Sequence, residues 1–195
     1  MIAELLNTIA ERLLPKVQKP YGLGNIIVRD GDIKVPAFFN KEPLAWQPDN
    51  FTSSSLFVMN GPVTCSQSDN EVSCGVYETK TVPLRLFVYS NTNSSQPCSF
   101  FDEQLANDII ALLVFQQDRK LAEQYTLDHI ELTLTGNEYR HDIVYGQLFG
   151  MIENKIIEPA QLFSIDLSLT FTGNPACWFK NCDYLITEDN INILP

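Results

Sequence analysis

The chain has 195 residues, a formal net charge of −11, a hydrophobic fraction of 45% and a charged fraction of 19%. That length fits one globular domain that buries roughly 70% of the surface its unfolded form exposes, so the core needs no staple. The acidic balance argues against a nucleic-acid or anionic-membrane binder, because both surfaces repel it, and no apolar run approaches the roughly 18 residues of a membrane span.

In chain order, Ile2, Leu5, Leu6, Ile9 and Leu13 recur at helical spacing and predict an amphipathic helix over 2–14, ended by Pro15. Gly22 and Gly24 mark a loop. Asp30-Gly31, flanked by apolar residues 26–28 and 33–35, is a hairpin signal. Residues 40–54 read as a long loop up to a short strand at 55–59. Asn60-Gly61-Pro62 then sets the polar, Ser-rich segment 60–80 at an edge or outside the sheet.

Residues 82–89 predict a strand with Leu84, Leu86 and Val88 on one face and Arg85, Phe87 and Tyr89 on the other, so both faces are expected to be covered. The polar loop 90–98 leads to a helix from Ser99 to about residue 116. Asp102 and Glu103 in its first turn suggest a capping box, and Phe101, Leu105, Ile109 and Leu112 form its buried stripe. A strand at 128–135 points Ile130, Leu132 and Leu134 inward, with His129, Glu131, Thr133 and Thr135 outward. Within the insertion 137–160, Val144, Leu148, Met151 and Ile152 suggest a helix weakened by Gly146 and Gly150. Residues 162–171 alternate Phe163, Ile165, Leu167, Leu169 and Phe171 against Ser164, Asp166, Ser168 and Thr170, the pattern of a strand with one wet face. The sum is a single α+β domain over 1–195. Its sheet is mainly antiparallel, with an N-terminal helix and a second helix packed on one face, and a C-terminal extension spans 174–195.

The charge is uneven. Residues 1–48 carry six Lys/Arg and five Asp/Glu, a balance of +1, whereas residues 49–195 carry seven and nineteen, a balance of −12. Such a surface keeps a protein soluble; it also suits the wall of a passage that DNA must cross without sticking. The 12 Phe, 7 Tyr and 2 Trp suggest apolar surface reserved for partners.

No segment of 1–14 reads as a signal peptide, so the five cysteines (Cys65, Cys74, Cys98, Cys177, Cys182) are expected as reduced thiols in the cytoplasm. Cys65, Cys74, Cys177 and Cys182 could supply four thiolates to zinc, but their spacings exceed the two to four residues that structural sites favour. A cysteine paired with His129 or His141 would make a nucleophile, although no local signature places one beside either histidine. Asp102/Glu103 and Glu188/Asp189 are explained by a helix start and a polar tail. Gly22-Leu23-Gly24 lacks the lysine and third glycine of a phosphate loop. Asn50-Phe51-Thr52 and Asn93-Ser94-Ser95 match a glycosylation pattern but, without secretion, mean polar loops. The residues therefore point to no catalytic, cofactor or metal site, and to a structural or interaction subunit. The alternative is a small cytoplasmic enzyme of unrecognised class, thiol-dependent if Cys–His chemistry operates.

The order of an N-terminal amphipathic helix, a strong strand (82–89), a polar loop, a capped helix (99–116) and two further strands (128–135 and 162–171) resembles the bacteriophage tail-terminator and neck (head-to-tail joining) proteins over most of 1–172. These are small α+β virion structural proteins that form homo-oligomeric rings, commonly hexameric, where a head or tail segment ends. The resemblance implies a head–tail connector role in the virion, assembly in the host cytoplasm and contacts with other head, neck and tail proteins. It also implies DNA passing without specific binding, no membrane, and no catalytic residues. The segments 60–80, 137–160 and 174–195 exceed a minimal member and suit a collar in which extensions clamp adjacent rings. Under this resemblance Trp46, Phe87, Tyr89 and Trp178 are candidate anchors between subunits.

Overall fold

The computed structural model describes residues 1–29, 33–40, 42–46, 52–70, 75–91, 102–149 and 161–174. Helix α1 (Ile2–Glu11) buries Leu5, Leu6, Ile9 and Ala10 along one stripe. Each of the two leucines and the isoleucine contributes about 1.5–3 kcal/mol of transfer free energy. Beyond α1 the chain turns through buried Leu13 to buried Val17.

The strands are β1 (Lys19–Arg29), β2 (Ile33–Asn40), β3 (Glu42–Ala45), β4 (Ser53–Met59), β5 (Thr64–Asn70) and β6 (Gly75–Ser90). Helices α2 (Glu103–Leu113) and α3 (Arg119–Tyr125) follow, then β7 (His129–Glu138), α4 (His141–Phe149) and β8 (Gln161–Gly173). The strands form one eight-stranded sheet in the order β3-β2-β1-β4-β6-β8-β7, with β5 also on β6. Only β1 and β4 run parallel; every other pair is antiparallel. The fold is α+β, as the patterning predicts.

The expected alternation of β6 and β8 governs the packing. Val82, Leu84, Leu86 and Val88 join Phe163, Ile165, Leu167, Leu169 and Phe171 beneath α1, α2 and α3 in the main core. On the opposite face Phe87, Tyr89 and Leu162 meet Val144 and Leu148 of α4, with Trp46, Leu56 and Val58, in a smaller core. The expectation that β8 has one wet face is therefore corrected over part of its length. Ser164 is buried under the α4 layer, while Ser168, Thr170 and Thr172 remain partly exposed.

Several expected loops are strands. Part of 40–54 forms β3, which pairs with β2, and the start of β4. The segment 60–80 forms β5 and the first part of β6, a hairpin in continuous register from Thr64↔Thr81 to Asn70↔Gly75. The composition of β5 disguises it, because Thr64 is its one β-branched residue and no apolar alternation marks the strand. β4 and β5 run along the same side of β6, broken at residues 60–63. Pro83 sits at the break, where its carbonyl accepts the Asn60 N–H at 2.9 Å. Its missing donor points the same way and so removes no ladder bond there.

The second helix starts later than the capping-box reading places it. Asp102 is the N-cap itself, its side chain accepting the Leu105 N–H at 3.0 Å; Ser99 and Phe101 lie outside the described residues. Helix α3 is too short for a periodic signal. It is fixed by Asp118, whose carboxylate accepts the Leu121 N–H at 2.9 Å and pairs with Arg12 of α1. Burial pushes the Asp118 carboxyl up, but the Leu121 N–H and the Arg12 guanidinium outweigh it and hold the group below the usual range. The Arg12 guanidinium also lies 4.7 Å over the Phe115 ring. The Tyr125 hydroxyl meets Thr8 Oγ1 at 2.7 Å and ties α1 to α3, while Lys16, in the turn after α1, reaches Asp108 of α2 at 2.5 Å.

Two backbone positions test this packing. A Cβ on Gly24 would lie 2.5 Å from the Ala37 carbonyl oxygen and 2.9 Å from Leu56 Cδ1. G24A is expected to lower stability by about 1–3 kcal/mol by overpacking. Thr126 caps α3 in the left-handed region at φ 55°, a conformation that costs a β-branched residue about 1–2 kcal/mol. T126G is expected to raise stability by up to about 1 kcal/mol, since glycine's extra unfolded-state freedom takes back part of the gain. Urea midpoints at constant m-value check both.

Candidate functional site

The sheet register decides which reactive side chains can meet. Cys65 is exposed and lies opposite Lys80; Lys80 lies opposite Phe171, and Phe171 opposite Ile130. One residue along, Ser66 lies opposite Thr79, Thr79 opposite Thr172, and Thr172 opposite His129. Alternation therefore puts Cys65 and His129 on opposite faces of the sheet. His129 Nε2 lies 3.5 Å from Glu131 Oε2 at a partly exposed position. Cys74, Cys98, Cys177, Cys182, Trp178, Glu188 and Asp189 lie outside the described residues. Among the described residues no cluster of three or more His, Cys, Asp or Glu side chains has the geometry to hold a metal. Asp102 and Glu103 form the first turn of α2, and Gly22-Leu23-Gly24 lies within β1, where Gly24 lets β2 and Leu56 approach.

The most organised polar group on the α4 face is structural. Arg85 grips Asp166 with both ends of its fork, Nε to Oδ1 at 2.6 Å and Nη2 to Oδ2 at 2.9 Å, and gives Nη1 to Gln147 Oε1 of α4 at 3.0 Å. The carboxylate hydrogen bond raises the already high pKa of the guanidinium, against the opposing effect of burial. This pair joins β6, β8 and α4. Farther along the same face Thr79 and Thr81 bond Thr172 and Thr170 through their hydroxyls at 2.9 and 3.2 Å.

The anchors expected to face other subunits are inside this one. Trp46, Phe87 and Tyr89 are 2%, 2% and 3% exposed, sealed beneath α4. Both faces of β6 are covered, as its alternation foretold, and the cover is the chain's own helix.

What the sheet leaves open is main chain. Residues 64–67 of β5 are all exposed, so the strand shows both faces to solvent. No strand pairs with its outer edge among the described residues. β8 accompanies β6 only from Glu78 onward, so the turn end of the β5–β6 hairpin projects as a two-stranded ribbon. The outer edge of β7 is half covered: Phe115 exchanges hydrogen bonds with Leu132 at 3.0 and 2.9 Å, and the Asp118 N–H donates to Ile130 O at 3.3 Å. Beyond Leu132 that edge has no strand partner among the described residues. Leu134, expected to point inward, is 41% exposed, because the register shifts between Leu134 and Gly136 and turns the strand outward. Sequence reasoning, from Pro62, set 60–80 at an edge or outside the sheet, and β5 lies at an edge; it did not single out the open stretch of β7.

Five described cations are held in ion pairs: Arg12–Asp118, Lys16–Asp108, Lys80–Glu78, Arg85–Asp166 and Arg140–Glu138. Glu11, Glu103, Glu123, Asp128 and Asp142 stand exposed, as do Lys19, Arg119 and Lys120. Comparison with protein-family models and with curated proteins finds no match.

His141 carries a pH dependence. Its Nδ1 accepts the Leu162 N–H at 3.1 Å, and its ring stacks on Tyr145 with centroids 5.8 Å apart. Burial holds the imidazole pKa below its ordinary value, with Asp142 opposing weakly. The folded state therefore binds this proton less readily than the unfolded chain. The stabilisation is complete above the unfolded value of about 6.5 and is lost as the pH falls from there through the depressed folded value. H141N, whose Oδ1 takes the place of Nδ1 and does not titrate, is expected to flatten this part of the profile. Urea midpoints of both proteins between about pH 7 and pH 5 provide the comparison.

Proposed function

We propose that this protein is a virion structural subunit of the tail-terminator kind, forming a ring in a phage neck or tail and joining adjacent rings around the DNA channel. The observation that carries the reading is the β5–β6 ribbon. Its turn end extends past β8, its residues 64–67 are exposed on both faces, and no strand pairs with its outer edge among the described residues. Two strands alone are marginal in water, so such a ribbon has its natural use against another chain. Self-association does not rest on Trp46, Phe87 and Tyr89, which the fold consumes.

The net charge of −11 supports the same reading. Phosphates repelled from a negative wall do not adhere, and exposed carboxylates such as Glu103, Glu123 and Asp128 supply the repulsion. A thiol-dependent enzyme is the competing reading. Among the described residues, the sheet lies between Cys65 and His129.

Native mass measurement of the purified chain over a range of concentrations tests the proposal. The expected result is a closed symmetric oligomer of about six subunits or more. A strict monomer with no affinity for purified tail or neck assemblies contradicts it.

A further inference from the structure

We propose that α4 is an acid-operated cover: protonation of His141 detaches it from the sheet and bares the layer of Trp46, Phe87 and Tyr89, while the main core stays folded. The proposal goes beyond the ring-subunit reading and holds for a monomer as well as for a ring.

A single imidazole fastens the start of α4. β7 leaves the sheet after Glu138, which lies opposite Ser164 of β8, and residues 139 and 140 lead directly into His141, the first residue of α4. Leu162 lies two residues beyond that last pair. Its N–H donates to His141 Nδ1 at 3.1 Å, so the imidazole takes up the ladder position that β7 gives up. The ring also stacks on Tyr145, one turn further along the helix. Leu162 belongs to the smaller core, together with Val144 and Leu148 of α4. The imidazole thus joins the helix to the strand over which it lies.

Only a neutral imidazole makes this bond. Nδ1 accepts through its lone pair, and the proton of the neutral ring sits on Nε2. A second proton occupies that lone pair and sets an N–H against the Leu162 N–H. Charging the ring therefore requires the bond to break and the ring to return to water. Burial acts in the same direction and holds the imidazole pKa below its ordinary value. With α4 lifted, the hydrated ring takes its proton at about 6.5. The lifted form binds the proton better, so acid shifts the balance toward it. Between about pH 7 and pH 5 the ratio of lifted to seated α4 rises by up to about 25-fold.

The charges on the surrounding elements leave this sign intact. On α4 itself Asp142 favours the charged ring, but its effect is smaller than that of burial. On the β7 side Glu138 and Arg140 pair with each other, and the Tyr139 ring between them meets Phe163 edge-on. On β8 Asp166 is gripped by Arg85 of β6, and Tyr89 of β6 lies opposite Leu162. β2, the other strand against which α4 packs, carries Lys34 as its charged residue, and Tyr21 of β1 lies at the margin of the smaller core.

The opening is local because α4 commits little apolar surface. It buries Val144 and Leu148, with Tyr145 at the margin, whereas α1 and α2 each bury a longer stripe in the main core.

Thiol trapping measures the lifted form. V144C puts a thiol beneath α4, and V82C puts one in the main core as a reference. Each variant is treated with dithiodipyridine at about pH 7 and pH 5, and labelling is mapped by mass spectrometry. Each rate is divided by that of the same residue in the urea-unfolded chain at the same pH. The normalised rate at residue 144 is expected to rise by up to about 25-fold from the higher to the lower pH, while that at residue 82 does not follow. L148C, a second reporter beneath α4, is expected to behave as V144C does. Adding H141N to the V144C chain removes the rise, and adding H129N retains it. Rates at residues 144 and 148 that ignore pH overturn the proposal. So does a rise that H129N abolishes or H141N leaves intact, or a rate at residue 82 that climbs in step with the others.

Discussion

The structure depends on the pairing of β6 with β8. Residues 78–90 of one strand face 161–173 of the other without a register break, and every other part of the sheet is attached to this pair. The pair is buried on both sides, so its register is doubly specified. A one-residue slip of either strand would send Leu84, Leu86 and Val88 toward α4 and Arg85 into the main core. The Arg85–Asp166 fork holds the register from the α4 side, and the Thr79–Thr172 and Thr81–Thr170 hydroxyl pairs continue it toward the end of β8.

Covering both faces of this pair settles where adhesion to other molecules can arise. The aromatic residues that a sequence reader would assign to contacts between subunits are used to seat α4. The chain then has few large apolar side chains at the surface: Leu14, Ile26, Val114 and Leu134 are the exposed ones among the described residues. Among the described residues, the outer edges of β3, β5 and the far part of β7 have no strand partner. Association through such edges is directional rather than greasy, because backbone hydrogen bonds carry it.

The parts legible from sequence were those with a clean period. The stripe of Leu5, Leu6 and Ile9 gave α1, and the alternation of Phe163 through Phe171 gave β8 with its inward face correct. The hairpin expected around Asp30-Gly31 is matched by β1 and β2, which pair antiparallel up to Arg29↔Ile33, with 30–32 outside the described residues. Period alone failed in three ways. β5 has almost no apolar residues to alternate. α3 spans only seven residues and is fixed by a cap and an ion pair to a distant helix. The third failure was burial. Phe87 and Tyr89 were correctly placed on the second face, but what covers that face depends on α4, more than fifty residues downstream, whose weak amphipathicity hides its role. Long-range partners, not local propensity, decide such positions.

The layer beneath α4 has a further consequence. Trp46 Nε1, Ser54 Oγ and Ser164 Oγ are buried there without a hydrogen-bond partner among the described residues. Each such group takes back part of the free energy gained by covering Phe87 and Tyr89. The main core has one such atom, Ser55 Oγ, set against a far larger apolar cluster. The two sides of the sheet are thus unequal in cohesion, and thermal fluctuation lifts α4 before it separates α1 or α2. Amide protons of α4 then exchange with solvent through a shallow local excursion, while those of β6 and β8 wait for the whole molecule to come apart.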